Sequence, residues 1–175
     1  ETALTRVMQE PVRILAAGRT DAGVHATGQT VKFQTVNRIP IDRVPYALNS
    51  VLPSDLRVRR AERTNWEFHP RFDAKSRVYR YRIDNKPFRS VLMRRFSHHV
   101  PRRLEVAAMQ RAAESLIGVH DFVSFEASGS NESGSTIRQM ISVSVRREGG
   151  WVLVTVEANA FLYRMVRNIV GTLIL

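Results

Sequence analysis

The chain contains no cysteine. That removes disulfides, thiolate zinc sites and cysteine nucleophiles from consideration, and with the points below it makes a cytoplasmic location the expectation. No apolar run approaches the ~18 residues of a membrane-spanning helix. No segment has the basic, apolar and small-residue order of a secretory signal. Acidic residues are few beside basic ones: 16 Asp and Glu against 27 Lys and Arg, a formal net charge of +11. Most of the cations are arginine, whose planar fork matches phosphate and whose face stacks on bases. An even solubility coat would be the plain reading of such a charge, but a polyanionic partner, nucleic acid first, fits it better. The hydrophobic fraction of 43% over 175 residues fits a globular protein with a sizeable core, in one or two domains.

Read in order, residues 1–9 carry Leu4, Val7 and Met8 at helical spacing without an opening cap, like a helix entered midway. Residues 12–17 read as a short buried strand and residues 30–36 as a half-buried one. A helix is expected from about Asp42, with Ile41, Val44 and Leu48 on one face and Pro45 tolerated in its first turn. Residues 56–63 alternate weakly and read as a strand. Residues 65–72, with Pro70, form a connector. Residues 78–84 read as a strand with Tyr79, Tyr81 and Ile83 on one face. After Pro101 comes a helix presenting Leu104, Ala107, Ala108, Ala112 and Leu116, ended by Gly118. The Ser- and Gly-rich residues 126–135 are expected to form a mobile loop. Ile137, Gln139, Ile141, Val143 and Val145 alternate, and Glu148-Gly149-Gly150 turns the chain into a second strand at 151–158. The pairs Phe161-Leu162, Met165-Val166, Ile169-Val170 and Leu173-Ile174 recur every four residues, one broad helical face opposite Arg164, Arg167 and Asn168. A chain that starts and stops inside helices reads as a fragment.

The chemistry concentrates in residues 18–33, GRTDAGVHATGQTVKF, between the first two strands. Gly18, Gly23 and Gly28 allow tight backbone and close approach. Arg19-Thr20-Asp21 puts a carboxylate beside a guanidinium, which keeps it ionised and orients it. Asp21 is the best single candidate for chemistry, and a turn cap is the plain alternative. The loop lacks the Gly-Lys-Ser/Thr ending of a nucleotide-binding loop. His98-His99, His120-Asp121, Asp21 and His25 raise a metal-dependent phosphohydrolase as a rival, but no ligand spacing supports a metal and none is expected. No Ser or Thr nucleophile has an evident base. Arg167 is a possible partner for Asp21 or simply a solvated helix position. Tyr79 is either core or a ring that stacks on a base. Residues 71–103 are the most arginine-rich stretch.

The 18–33 segment resembles the signature loop of tRNA pseudouridine synthases of the TruA type. FDAKSRVYRY at 72–81, GVHDF at 118–122 and NAFLYRMVRNIVG at 159–171 resemble further family segments in the same order. The resemblance implies an α+β fold of two ferredoxin-like, RRM-like halves. They would share a mixed, mainly antiparallel sheet with helices on one face. Residues 1–64 would be an N-terminal half without its first strand, carrying the catalytic loop 18–28. Residues 65–77 would be a connector, and 78–175 a C-terminal half ending within its last helix. The implied reaction isomerises uridine to pseudouridine in the tRNA anticodon stem-loop, at about positions 38–40, without cofactor or metal. Asp21 would be the essential aspartate, Arg167 its basic partner and Tyr79 the ring stacked on the target uracil. Arg19 would fill the space of the flipped base, with Thr20 beside it at the substrate. Arg71, Lys75, Arg77 and Arg80 would contact RNA. Family members are homodimers that act on tRNA and not at membranes. A non-catalytic RNA-binding module, or an inactive fragment of such an enzyme, is the alternative.

Overall fold

The computed structural model describes residues 1–129 and 134–175. Part of the expected mobile loop at 126–135, residues 130–133, lies outside the described residues. The chain divides into two compact units, Glu1–Ala74 and Lys75–Leu175, each with its own apolar cluster. The class is α+β. The strands pair in two sheets, one per unit, where the sequence reading expected one shared sheet.

In the first unit, helix α1 (Thr2–Met8) buries Leu4 and Met8 and stops at Gln9, which takes a left-handed φ of 57°. Helix α2 (Val44–Asn49) accepts Pro45 in its first turn, where no intrahelical donor is lost. It buries Val44 and Leu48 against Leu4, Met8 and Val12. Each such side chain contributes ~1.5–3 kcal/mol on burial. Strands β1 (Ile14–Ala16) and β2 (Val31–Phe33) pair antiparallel, Ile14 opposite Phe33 and Ala16 opposite Val31. The expectation that residues 12–17 are buried fails: Ile14 and Leu15 are 37% and 42% exposed. A two-stranded ribbon has too little surface to cover both faces, and here Phe33 alone among its residues packs against the apolar cluster. Residues 56–63 form no strand. At Val58 a side chain stands in for a strand partner: Asn49 accepts the Val58 amide at 2.8 Å and donates to the Val58 carbonyl at 2.9 Å.

In the second unit, β3 (Arg77–Asp84), β4 (His98–His99), β5 (Gly118–Asp121), β6 (Ile137–Glu148) and β7 (Trp151–Ala158) form a sheet of order β4-β3-β7-β6-β5. The β3–β4 pairing is parallel and the others antiparallel. Val152, Val154, Val156 and Ala158 alternate into the core with Ile83, where helices α3 (Val106–Glu114) and α4 (Met165–Ile174) contribute Met109, Ala113, Met165, Ile169 and Val170. Glu148 pairs with Trp151 across a two-residue Gly149-Gly150 turn, Gly149 at φ +57°. Two apolar faces differ from expectation. On α3, Met109 and Ala113, four residues apart on one helical face, turn inward while Ala107, Ala108 and Ala112 stay exposed. On β6, the register shifts between Met140 and Ser142. This bulge aims Met140 inward and leaves Ile137 and Ile141 exposed. The last helix begins only at Met165. Arg164 is its N-cap, left-handed at φ 56°, not a member of its polar face.

Candidate active site

The loop between β1 and β2 is closed at its base by the Ala17 amide donating to the Thr30 carbonyl at 2.9 Å, one step beyond the β1–β2 ladder. The Gln29 side-chain amide donates to the Gly18 carbonyl across the neck. Arg59 pins the far side by donating to the Thr27 carbonyl at 3.1 Å. At the tip, the Val24 amide donates to the Asp21 carbonyl at 3.0 Å, and Gly23 sits at φ +80°. A left-handed third residue of a four-residue turn favours glycine, and nothing crowds its missing Cβ. Gly18 and Gly28 take no left-handed φ and stand in open space, so of the three glycines only Gly23 is required by the backbone. Arg19 and Thr20 are exposed and Asp21 is half-buried, so the turn holds a carboxylate at the edge of solvent.

Tyr79, Arg167 and Arg80 belong to the second unit. Tyr79 lies half-buried on β3, opposite Val156, and meets Phe161 edge-to-face, with centroids 5.0 Å apart and planes at 86°. That contact holds the ring upright on the same sheet face as Tyr81 and Ile83. Arg167 is exposed on the first turns of α4. The helix start is held by three groups. Asn168 donates to the Phe125 carbonyl at 2.9 Å, the Ala127 amide donates to the Tyr163 carbonyl at 3.1 Å, and Arg164 stacks on the Tyr163 ring at 4.9 Å. Of the residues expected to touch RNA, Arg71 stands 5.9 Å over the Phe72 ring in the first unit. Lys75 is exposed. Arg77 donates to the Asn159 carbonyl at 2.9 Å. Arg80 is exposed on the sheet face away from the core. Arg19, Thr20 and Asp21 thus lie on one loop, and Tyr79 and α4 lie around one core containing Phe161 and Met165.

Two histidines considered as metal ligands are engaged by the main chain: His99 Nε2 lies 2.9 Å from the Lys86 carbonyl and His120 Nε2 2.9 Å from the Ile117 carbonyl. Among the described residues, no group of three or more His, Asp or Glu side chains could hold a metal ion. The Thr136 hydroxyl first, and the Val123 amide second, hold the Asp121 carboxyl below its ordinary range, so that residue acts as a turn anchor. Sequence reasoning missed Gln29 and Arg59 as supports of the loop. Gln29 could have been suspected from its place beside Gly28. Arg59 carries no local signal, because its partner is 32 residues away.

Comparison with known proteins adds the following. A family model described as tRNA pseudouridine synthase matches residues 1–73 and 112–175. The chain is similar to tRNA pseudouridine synthase A of Brevibacillus brevis, 45% identical over 174 residues, covering 99% of this chain and 71% of that protein. It is similar to the protein of that name from Moorella thermoacetica, 48% identical over 172 residues, covering 98% and 70%. The one from Thermoanaerobacter pseudethanolicus is 43% identical over 173 residues, covering 99% and 70%.

Proposed function

The chain belongs to the tRNA pseudouridine synthase family, and on that premise we propose that it isomerises uridine in the tRNA anticodon stem-loop with Asp21 as the indispensable carboxylate. The observation that carries the reading is likeness along nearly the whole chain to enzymes of that name. Support for Asp21 is local: it is the carboxylate of the turn that Gly23, Gln29 and Arg59 hold in place.

The reaction balances without an external reagent. The bond between ribose C1′ and uracil N1 breaks, the base turns over, and a bond forms from C1′ to C5. The proton lost from C5 is matched by one gained at N1. No oxidant, reductant or energy source enters. Three tasks fall to the protein. A charged oxygen must meet the sugar or the base, which is Asp21. A cation must balance that charge, for which Arg19, two residues before Asp21 on the same loop, is the candidate. A flat surface must hold the uracil while it is detached, for which the Tyr79 ring, fixed by Phe161, is suited. The base has to leave its stack, because C5 and the sugar face are not reachable within a helical stem. Arg19, exposed on the loop, suits the space it vacates.

The test is Asp21→Asn, which keeps shape and removes charge. An amide serves neither as nucleophile nor as base, so pseudouridine formation in unmodified tRNA should fall below detection. Affinity for tRNA should stay within about tenfold, since phosphate contacts dominate it. Normal turnover by the Asn variant would end the assignment. Lost binding with residual turnover would make Asp21 a structural cap.

A further inference from the structure

We propose that residues 65–73 form a base-stacking platform for unpaired nucleotides of the RNA, with Trp66 as its principal ring and Phe72 as its second. The inference rests on the functional reading above, to which it adds a binding element.

Trp66 is 76% exposed and Phe72 75% exposed. A single exposed aromatic needs no explanation. Here two stand on one short segment whose backbone is held at almost every step. Lys32 Nζ donates to the Trp66 carbonyl and, at 2.8 Å, to the Phe68 carbonyl. The Phe68 amide donates to Asn65 Oδ1 at 2.8 Å. The amides of Arg71 and Phe72 both donate to His69 Nδ1 at 3.2 Å. The His69 amide donates to Asp73 Oδ2 at 2.9 Å, and the Asp73 amide returns to the His69 carbonyl at 2.9 Å. A backbone fixed in this way presents its rings without paying loop-ordering entropy on binding.

Each ring also has a cation over it. Lys32 Nζ is 5.8 Å from the Trp66 centroid and the Arg71 guanidinium 5.9 Å from that of Phe72, while His69 stacks against Phe72 at 4.2 Å. Aromatic face plus adjacent positive charge is the pairing that single-stranded nucleic acid selects, base on ring and phosphate on cation. Glu67, also exposed, adds a negative charge to the segment, which opposes binding by charge alone. The platform is tied to the candidate active loop within the same unit. Lys32 lies on β2, opposite Leu15 of β1, two residues after the Thr30 that closes the loop. Trp66 therefore sits on an element anchored to the strand that follows Asp21, where nucleotides flanking an extruded uridine need support.

The ring, not the backbone, is the proposed ligand contact, so truncating it leaves the Lys32 bonds intact. The chain has two tryptophans; Trp151→Phe makes Trp66 the sole reporter. An unmodified anticodon stem-loop RNA should quench Trp66 emission on saturation. A fully paired RNA duplex and heparin, which supply charge without free bases, should not. Trp66→Ala should weaken stem-loop binding about tenfold with the log–log salt slope unchanged, since stacking releases no counterions. Trp66→Phe should retain most of the affinity. No quenching by a stem-loop that binds and is isomerised overturns the platform and leaves the enzyme reading intact. Equal quenching by heparin, or emission that depends on protein concentration without RNA, overturns it in favour of plain charge or of a second copy covering the ring. Quenching without any pseudouridine formation keeps the platform and counts against the enzyme reading instead.

Discussion

At Glu10 one carboxylate oxygen accepts both the Thr35 hydroxyl and, at 2.9 Å, the Val36 amide. The Thr35 bond above all holds the Glu10 carboxyl below its ordinary value of 4.5. A depressed folded value means the ionised group favours the folded state at pH above 4.5, and this contribution is lost as pH falls through the folded value. Glu10→Gln should therefore lower the denaturation midpoint at pH near 7, and lower it by less at an acid pH below 4.5. A gap that is the same at both pH values would contradict the cause assigned. Tyr79 poses a different question, ring against hydroxyl. Its ring is fixed by Phe161, and stacking on a base is worth ~1–3 kcal/mol. Tyr79→Phe should keep most of kcat/KM for pseudouridine formation, while Tyr79→Ala should lose on the order of tenfold to a hundredfold. Equal losses would assign the role to the hydroxyl.

Between residues and the whole, the β6–β7 hairpin shows how an element is specified by what packs on it. A Cβ at Gly150 would lie 2.5 Å from Lys86 Cγ and 2.7 Å from Cδ. Lys86 cannot move aside freely, because its ammonium lies 3.5 Å from the fully buried Asp84 and 4.4 Å from the Trp151 centroid. Displacing it leaves Asp84 Oδ1, which no hydrogen bond satisfies, without its counter-charge. Gly150→Ala is expected to cost about 1–3 kcal/mol in chemical denaturation, and much less when Lys86 is already Ala. Additive losses in that double-mutant cycle would rule out the clash. The bulge in β6 makes a second case. Met140→Ala should cost ~2–5 kcal/mol as a core truncation, whereas Ile141→Ala, on the exposed side, should cost under ~1 kcal/mol. The reverse order would mean that the strand runs in unbroken alternation.

Over the whole molecule, charge governs the encounter with RNA. A formal +11 attracts a polyanion at long range and makes the association salt-dependent. The log of the tRNA affinity should fall linearly with the log of salt concentration, with a slope of about −0.7 to −0.9 per phosphate neutralised. A slope near zero would mean that the arginines do not follow the RNA backbone.

Sequence by itself determined what contiguous residues can encode. The four-residue recurrence in α4, the alternation of Tyr79, Tyr81 and Ile83 in β3 and the Gly149-Gly150 turn between two β-strands are local periods, and each was legible. So was the place of the candidate chemistry, since Arg19, Thr20 and Asp21 adjoin one another and Gly23 makes the turn that begins at Asp21. Tertiary structure alone decided which apolar residues are covered. Ile14 and Leu15 look like core and are half-exposed, because burial needs a partner surface and a two-stranded ribbon provides one face at most. Residues 56–63 alternate like a strand, but no strand pairs with them, and at Val58 the Asn49 side chain takes both main-chain hydrogen bonds. Met109 and Met140 take the core positions expected of Ala108 and Ile141 because the facing of a helix and the register of a strand are set by what packs on them, which a period does not contain. Arg59 supports the Asp21 loop from 32 residues away, and no pattern of neighbours in the sequence records a contact made only when the chain has folded.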